Sequence, residues 1–101
     1  KRILQQAEQL MYTCNFTTRF KKDYKRAIKR NWNISLFEKA YDLLEQDGKL
    51  PAEYKPHPLA GQWIGFMDAH IQSDWVLIYR VDERYKTIDF VRMGTHADLF
   101  N

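Results

Sequence analysis

The sequence predicts an α+β fold, in which an antiparallel β-sheet of about four strands packs against two N-terminal helices. Three observations predict it. Apolar residues recur at helical spacing in the first half, strand-like runs separated by short turns fill the second half, and a loop with three prolines lies between them. A chain of 101 residues with 45% hydrophobic residues has the length and composition for one core, which excludes two domains and wholesale disorder.

The first half contains a short strand and two helices. Residues 12–16 are rich in aromatic and β-branched side chains and predict the strand. Phe20, Tyr24 and Ala27 then form one face of an amphipathic helix. Ser35 and Glu38 have the spacing of a capping box that starts a second helix, and Gly48 suits its C-cap. The short link between the helices predicts an antiparallel pair.

The second half predicts a meander. After the loop over residues 50–61, strands are expected over residues 63–71, 75–81 and 88–93. The connections at residues 72–74 and 82–86 are short enough for hairpins. The apolar run at 75–79 is too short to span a membrane, and no signal peptide is expected, since glutamines follow the first apolar residues. Cys14 has no partner in the chain, as expected in a reducing cytoplasm.

Charge is concentrated on the first helix. Residues 1–50 hold 11 Lys/Arg and 6 Asp/Glu, a net of +5, whereas residues 51–101 hold 5 and 7, a net of −2. The helix's basic stripe indicates either a polyanionic partner or a solvated helix face. The stripe consists of Lys21, Lys22, Lys25, Arg26, Lys29 and Arg30.

The histidines all lie in the second half. His57 stands between two prolines, of which the following one, Pro58, favours an extended backbone at His57. Asp68 and His70 are two apart on a predicted strand and share a face. The remaining candidates are Asp74 at a hairpin, Arg92 on the last strand and His96 beyond it. Imidazoles that transfer protons and a guanidinium that binds phosphate are the groups needed to cleave RNA through its 2′-hydroxyl.

Each of these residues also has a structural explanation. Histidines on strands often only form hydrogen bonds, and Asp98, three residues after Thr95, fits the cap of a terminal turn. Trp75 is typical of a core residue. A metal-dependent hydrolase is a further alternative, but the chain lacks the H-x-x-x-H, H-E-x-x-H and paired-cysteine spacings of metal sites.

The chain resembles the YafQ branch of the RelE-like bacterial toxins from residue 11 onward. The resemblance is carried by residues 11–25 (MYTCNFTTRFKKDYK), 54–59 (YKPHPL), 61–65 (GQWIG), 68–70 (DAH), 74–79 (DWVLIY) and 92–100 (RMGTHADLF). A toxin domain is therefore expected over residues 11–101. Residues 1–10 are an extension that is an extra helix, an expression remnant or an upstream start.

The resemblance implies a metal-independent endoribonuclease of the microbial ribonuclease fold. It implies cytoplasmic action on mRNA in the ribosome, no cofactor, no membrane, and a cognate antitoxin as partner. His96 matches the general acid, and His70 or His57, oriented by Asp74, matches the base. Arg92 matches the arginine near the scissile phosphate. Other matched positions are Asp68, Trp75 and Phe100, expected to contact substrate.

Two positions depart from the family pattern. Ile64 and Met67 stand where relatives often carry basic residues. Their loss lowers the positive charge expected next to the RNA phosphate. A catalytically weak module that binds RNA or the antitoxin is therefore the alternative to an active ribonuclease.

Overall fold

The computed structural model describes residues 11–100. Strand β1 (Thr13–Phe16) is followed by helices α1 (Thr18–Lys29) and α2 (Ile34–Asp47). Strands β2 (His57–Pro58), β3 (Met67–Gln72), β4 (Trp75–Asp82) and β5 (Thr87–Gly94) then precede the short helix α3 (His96–Phe100). The extension expected over residues 1–10 lies outside the described residues. Within residues 11–100, no helix has both the length and the apolar character needed to cross a membrane.

The five strands form one sheet in the order β1-β5-β4-β3-β2. The α+β class is confirmed, with one strand more than expected because β2 pairs with β3. Both predicted hairpins are present, since β3–β4 and β4–β5 are antiparallel. β1 departs from the antiparallel pattern and lies parallel to β5. No hairpin joins these two strands, because both helices and strands β2–β4 lie between them along the chain, and a connection of that length permits a parallel pairing.

Strand β3 begins later than the sequence predicts. The expected strand over residues 63–71 is wrong at its start, where Gly61–Trp63 forms a 3-10 helix. Gly65 follows with a φ of 92°, a conformation that glycine tolerates far better than other residues. The chain therefore enters the sheet only at Met67.

The two helices are capped by side chains of different kinds. Thr17 caps α1, because its hydroxyl accepts a hydrogen bond from the Phe20 N–H at 3.0 Å. The predicted capping box of Ser35 is wrong. Asn33 is the N-cap of α2, and its side-chain oxygen accepts from the Ser35 N–H at 3.2 Å and from the Ser35 hydroxyl at 2.6 Å. Gly48 ends α2 as predicted, with a φ of 71°.

Hydrophobic side chains fill both faces of the sheet. On the helix face, the rings of Phe20, Phe37 and Phe90 lie 5.6–5.9 Å apart. On the opposite face, Val76 and Ile78 of β4 form a smaller cluster with Leu99 of α3. The loop side chains Leu59, Trp63 and Phe66 pack against this second cluster. The loop and α3 are thus both held on the sheet face that turns away from α1 and α2.

Candidate active site

Strand register places two site residues on the sheet face away from the helices. Asp68 lies opposite Ile78, and His70 lies opposite Val76. Because cross-strand partners share a face, both residues lie on the side of the second hydrophobic cluster. His57 on β2 lies directly opposite Asp68, in the extended conformation that the following proline predicts.

Asp68 is a buried carboxylate that lies beside His57 and on the same strand face as His70. It is 5% exposed, and its Oδ1 lies 3.0 Å from Nδ1 of His57. The same Nδ1 lies 3.2 Å from the Lys55 carbonyl oxygen, which has the better hydrogen-bond direction, so Oδ1 has no donor within residues 11–100. Burial raises the pKa of Asp68, while the nearby charges of His57, His70 and His96 lower it.

His96 is held by Asp74 through its backbone and its ring. Its backbone N–H donates to Asp74 Oδ1 at 3.0 Å, and its ring Nδ1 lies 2.7 Å from the same oxygen. Both interactions lower the pKa of Asp74, so this carboxylate is ionised at neutral pH. With Nδ1 engaged, Nε2 of His96 is the nitrogen that is left for proton transfer. The ring of His70 lies 5.6 Å from that of His96.

The partner of Asp74 differs from the predicted one. The resemblance implied that Asp74 orients His70 or His57, whereas the structure pairs it with His96. The register explains the difference. Val76 lies opposite Gly94, so the residues two before Val76 and two after Gly94 meet at the same end of the sheet.

Arg92 is bound to Asp23 of helix α1, a residue that sequence reasoning did not select. Nε of Arg92 donates to Asp23 Oδ2 at 2.8 Å, and Nη2 donates to Oδ1 at 3.2 Å. The Met93 N–H and Arg26 also donate to this carboxylate, at 2.9 Å each. Both partners are largely buried, with side chains 12% and 5% exposed. The structure therefore does not bring Arg92 into contact with the histidines, although its strand neighbour Ile78 pairs with Asp68.

The two predicted aromatic contacts have different environments. Phe100 is 42% exposed, and its ring centroid lies 6.1 Å from that of His96, so it borders the site. Trp75 is 2% exposed and packs 4.8 Å from the ring of Trp32. Trp75 is therefore a core residue, as its sequence pattern favours, and is not open to the substrate contact that the resemblance implied. Asp68 is likewise too deeply buried for the direct substrate contact that was expected of it.

The basic stripe divides into free and paired residues. Lys21, Lys22, Lys25 and Lys29 are exposed, and within residues 11–100 the structure shows no ion pair for them. Arg26 and Arg30 instead approach Asp98 of helix α3, at 3.7 Å and 2.8 Å. Asp98 caps the terminal turn as predicted, but its link to the stripe has no local sequence signal. The sequence marks Asp23 only as a single acidic residue among basic ones. Nothing in the sequence indicates its pairing with Arg92, which lies 69 positions later.

The two departures from the family pattern have different surroundings. Ile64 is 76% exposed in the turn before β3. Met67 is partly buried and packs against the main core. In the part of the chain that the structure describes, no group of three or more His, Cys, Asp and Glu has the arrangement of a metal site.

Comparisons with known proteins give a consistent match. Residues 12–101 match the family model of YafQ, a bacterial toxin of type II toxin–antitoxin systems. The mRNA interferase toxin YafQ of Escherichia coli K12 is 42% identical over 86 residues, which are 84% of this chain and 91% of the relative. A chain of the E. coli DinJ–YafQ toxin–antitoxin complex has a TM-score of 0.82 at 39% identity. The match covers 90% of the present chain and 99% of that chain. A metal-bound toxin from Helicobacter pylori has a TM-score of 0.81 at 32% identity. The match covers 89% of the present chain and 100% of that toxin.

Proposed function

Because the chain belongs to the YafQ family of bacterial type II toxins, we propose that it is a metal-independent endoribonuclease that cleaves mRNA on the ribosome. The observation that carries the proposal is the meeting of three imidazoles and an ionised carboxylate at one open face of the sheet. His57 and His96 have side chains 56% and 53% exposed, so an RNA strand has access to both rings.

The reaction follows from the positions of the titratable groups. His70 or His57 takes the proton of the RNA 2′-hydroxyl, and the 2′-oxygen attacks the adjacent phosphorus. The bond from phosphorus to the 5′-oxygen breaks, and His96 supplies the proton that this oxygen needs. The products are a 2′,3′-cyclic phosphate and a 5′-hydroxyl. Asp74 orients the imidazole of His96 through Nδ1, at 2.7 Å, and leaves Nε2 for this proton transfer.

Three further residues complete the proposed site. Arg92 uses Nε and Nη2 for Asp23, which leaves Nη1 for an oxygen of the five-coordinate phosphorus. Asp68 lies 3.0 Å from Nδ1 of His57 and is placed to hold that imidazole. Phe100 offers an exposed ring beside His96 for stacking on a base.

The proposal is tested on ribosomes that carry a reporter mRNA. The protein is first treated with EDTA and freed of the chelator by gel filtration, so that the ribosomes keep their Mg²⁺. We expect cleavage of the bound mRNA at an undiminished rate, with 2′,3′-cyclic phosphate ends. Fragments with 5′-phosphate ends, or activity that returns only after a metal ion is added to the treated protein, would contradict the mechanism.

A binding module without strong catalysis is the second candidate. The side chains at Ile64 and Met67 favour it, because neither supplies positive charge to the site. The same ribosome assay separates the two candidates. Ribosome binding with steep salt dependence but no cleavage would favour the binding module.

The exposed lysines of α1 are proposed to contact ribosomal RNA. Lys22 and Lys25 are both exposed, so the variant Lys22→Gln/Lys25→Gln is expected to reduce the slope of log affinity against log salt by about 2, roughly one unit for each RNA phosphate that is no longer neutralised. The site of cleavage should not change, since groups that bind phosphate do not read sequence. Binding is measured by ribosome co-sedimentation at several salt concentrations.

The control for this variant is Lys39→Gln/Lys49→Gln. It removes the same charge from exposed positions outside the stripe and is expected to leave the slope nearly unchanged. An unaltered slope in the Lys22/Lys25 variant would show that the stripe is not the contact surface.

An antitoxin is the proposed regulator of this site. The DinJ–YafQ structure is a toxin–antitoxin complex, and we propose that this chain has its own cognate antitoxin. An acidic, disordered segment of that partner would find complementary charge on the exposed lysines of α1 and in the histidine site, and would become ordered on binding. The toxin would act in the cytoplasm, where its ribosomal target lies.

A further inference from the structure

Helix α3 depends on its surroundings for its position. It spans five residues, too few for a helix that is stable alone, yet it carries His96 at its first position. Leu99 attaches one side of the helix to the sheet by packing against Val76 and Ile78. Asp74 binds His96 directly, but its side chain is 61% exposed in a hairpin turn. A further attachment is therefore needed to fix α3 on its other side.

Asp98 supplies that attachment in two directions. Within the turn, the Thr95 N–H donates to Asp98 Oδ2 at 2.9 Å, and the Asp98 N–H donates to Thr95 Oγ1 at 3.0 Å. Outside the turn, Nη1 of Arg30 donates to Oδ2 at 2.8 Å, and Nη2 donates to Oδ1 at 3.3 Å. A bidentate ion pair between Arg30 and Asp98 thus joins the capping box of α3 to the end of helix α1.

The surroundings of Asp98 keep its carboxylate ionised and packed against the end of β5. The hydrogen bond from Arg30, assisted by those from Thr95, holds the pKa of Asp98 well below its usual range. The carboxylate lies directly over the backbone of Gly94, where an added Cβ would meet Oδ2 at 2.8 Å. The side chain of Asp98 is only 15% exposed, so water screens the pair less than it screens a fully exposed one.

We propose that Asp98 is a positioning residue for His96, because it ties α3 to helix α1 and so keeps the imidazole against Asp74 and beside His70. The inference rests on the proposed role of His96 as the general acid. It also gives Arg30 a role different from that of its lysine neighbours: it belongs to the catalytic framework instead of the surface that is free to bind RNA.

The kinetic test uses two variants of Asp98. Asp98→Ala is expected to lower kcat for mRNA cleavage roughly tenfold to a hundredfold, because small displacements of a catalytic group cost that much, while KM stays the same. Asp98→Asn keeps a side-chain oxygen for the cap but loses the charge facing Arg30, so an intermediate loss is expected. The control Arg80→Gln removes the Arg80–Asp89 pair between β4 and β5, which includes none of the proposed site residues, and should keep the normal kcat.

A second measurement does not depend on activity. Backbone ¹⁵N relaxation of Asp98→Ala should show order parameters below about 0.6 for residues 96–100, with the sheet unchanged. A raised KM with normal kcat, a normal kcat, or an α3 as ordered as in the unmodified protein would each overturn the inference. If the unmodified protein cleaves no RNA, the proposed function fails, and the relaxation data alone still decide whether Asp98 positions His96.

Discussion

Replacing His96 with alanine is expected to lower the rate of mRNA cleavage by roughly 10²–10⁴-fold, the usual contribution of one general acid. The residue supplies the proton for the departing 5′-oxygen, and Asp74 fixes its ring through Nδ1 at 2.7 Å. Its side chain is half exposed, so its loss leaves no cavity in the core. The expected defect is therefore chemical and not structural.

The measurement is single-turnover cleavage on programmed ribosomes, together with circular dichroism of the free protein. Tyr85→Ala is a suitable control, because it removes an exposed ring in the β4–β5 turn, away from the site. We expect the His96→Ala protein to keep its spectrum and its ribosome affinity. Cleavage within threefold of the unmodified rate would show that His96 is not the acid.

Asp23→Ala is expected to lower the free energy of unfolding by about 3–5 kcal/mol, the usual cost of removing one partner of a buried ion pair. Asp23 is 5% exposed and accepts hydrogen bonds from Arg92 and from the Met93 N–H. Without it, the guanidinium of Arg92 stays buried with no counter-charge, and a backbone N–H loses its acceptor.

Urea denaturation followed by fluorescence gives this free energy. Asp89→Ala is the matched control, since it removes the more exposed Arg80–Asp89 pair and should cost no more than about 1 kcal/mol. If Asp23→Ala costs as little as the control, the Arg92–Asp23 pair is not the strong constraint that its burial indicates.

Local pattern predicted the elements of this fold better than their pairing. The spacing of Phe20, Tyr24 and Ala27 gave α1 correctly, and the short turns gave both hairpins. The parallel pairing of β1 with β5 could not be predicted, because it depends on residues 74 positions apart. At the start of α2, Ser35 and Asn33 are both good caps, and only the backbone conformation decides between them.

The candidate site shows the same division. Sequence reasoning and family resemblance together selected His57, His70 and His96, and the structure places His57 3.0 Å from Asp68 and the ring of His70 5.6 Å from that of His96. The partners of these residues could not be predicted. Asp74 binds His96 because strand register brings the start of β4 beside the end of β5, and Arg92 binds Asp23 because α1 packs against β5. Partner choice is a tertiary property that residue spacing does not encode.

The pairing of β1 with β5 also affects when the toxin becomes active during its own synthesis. Contacts between such distant segments form late in folding, because a long loop must close first. Translation at about 5–20 residues per second separates the two strands by several seconds. During this interval the sheet lacks the strand that joins β1 to β4, and His96 has not yet been added. We therefore expect no assembled nuclease until β5 and His96 have been synthesised and have left the ribosome.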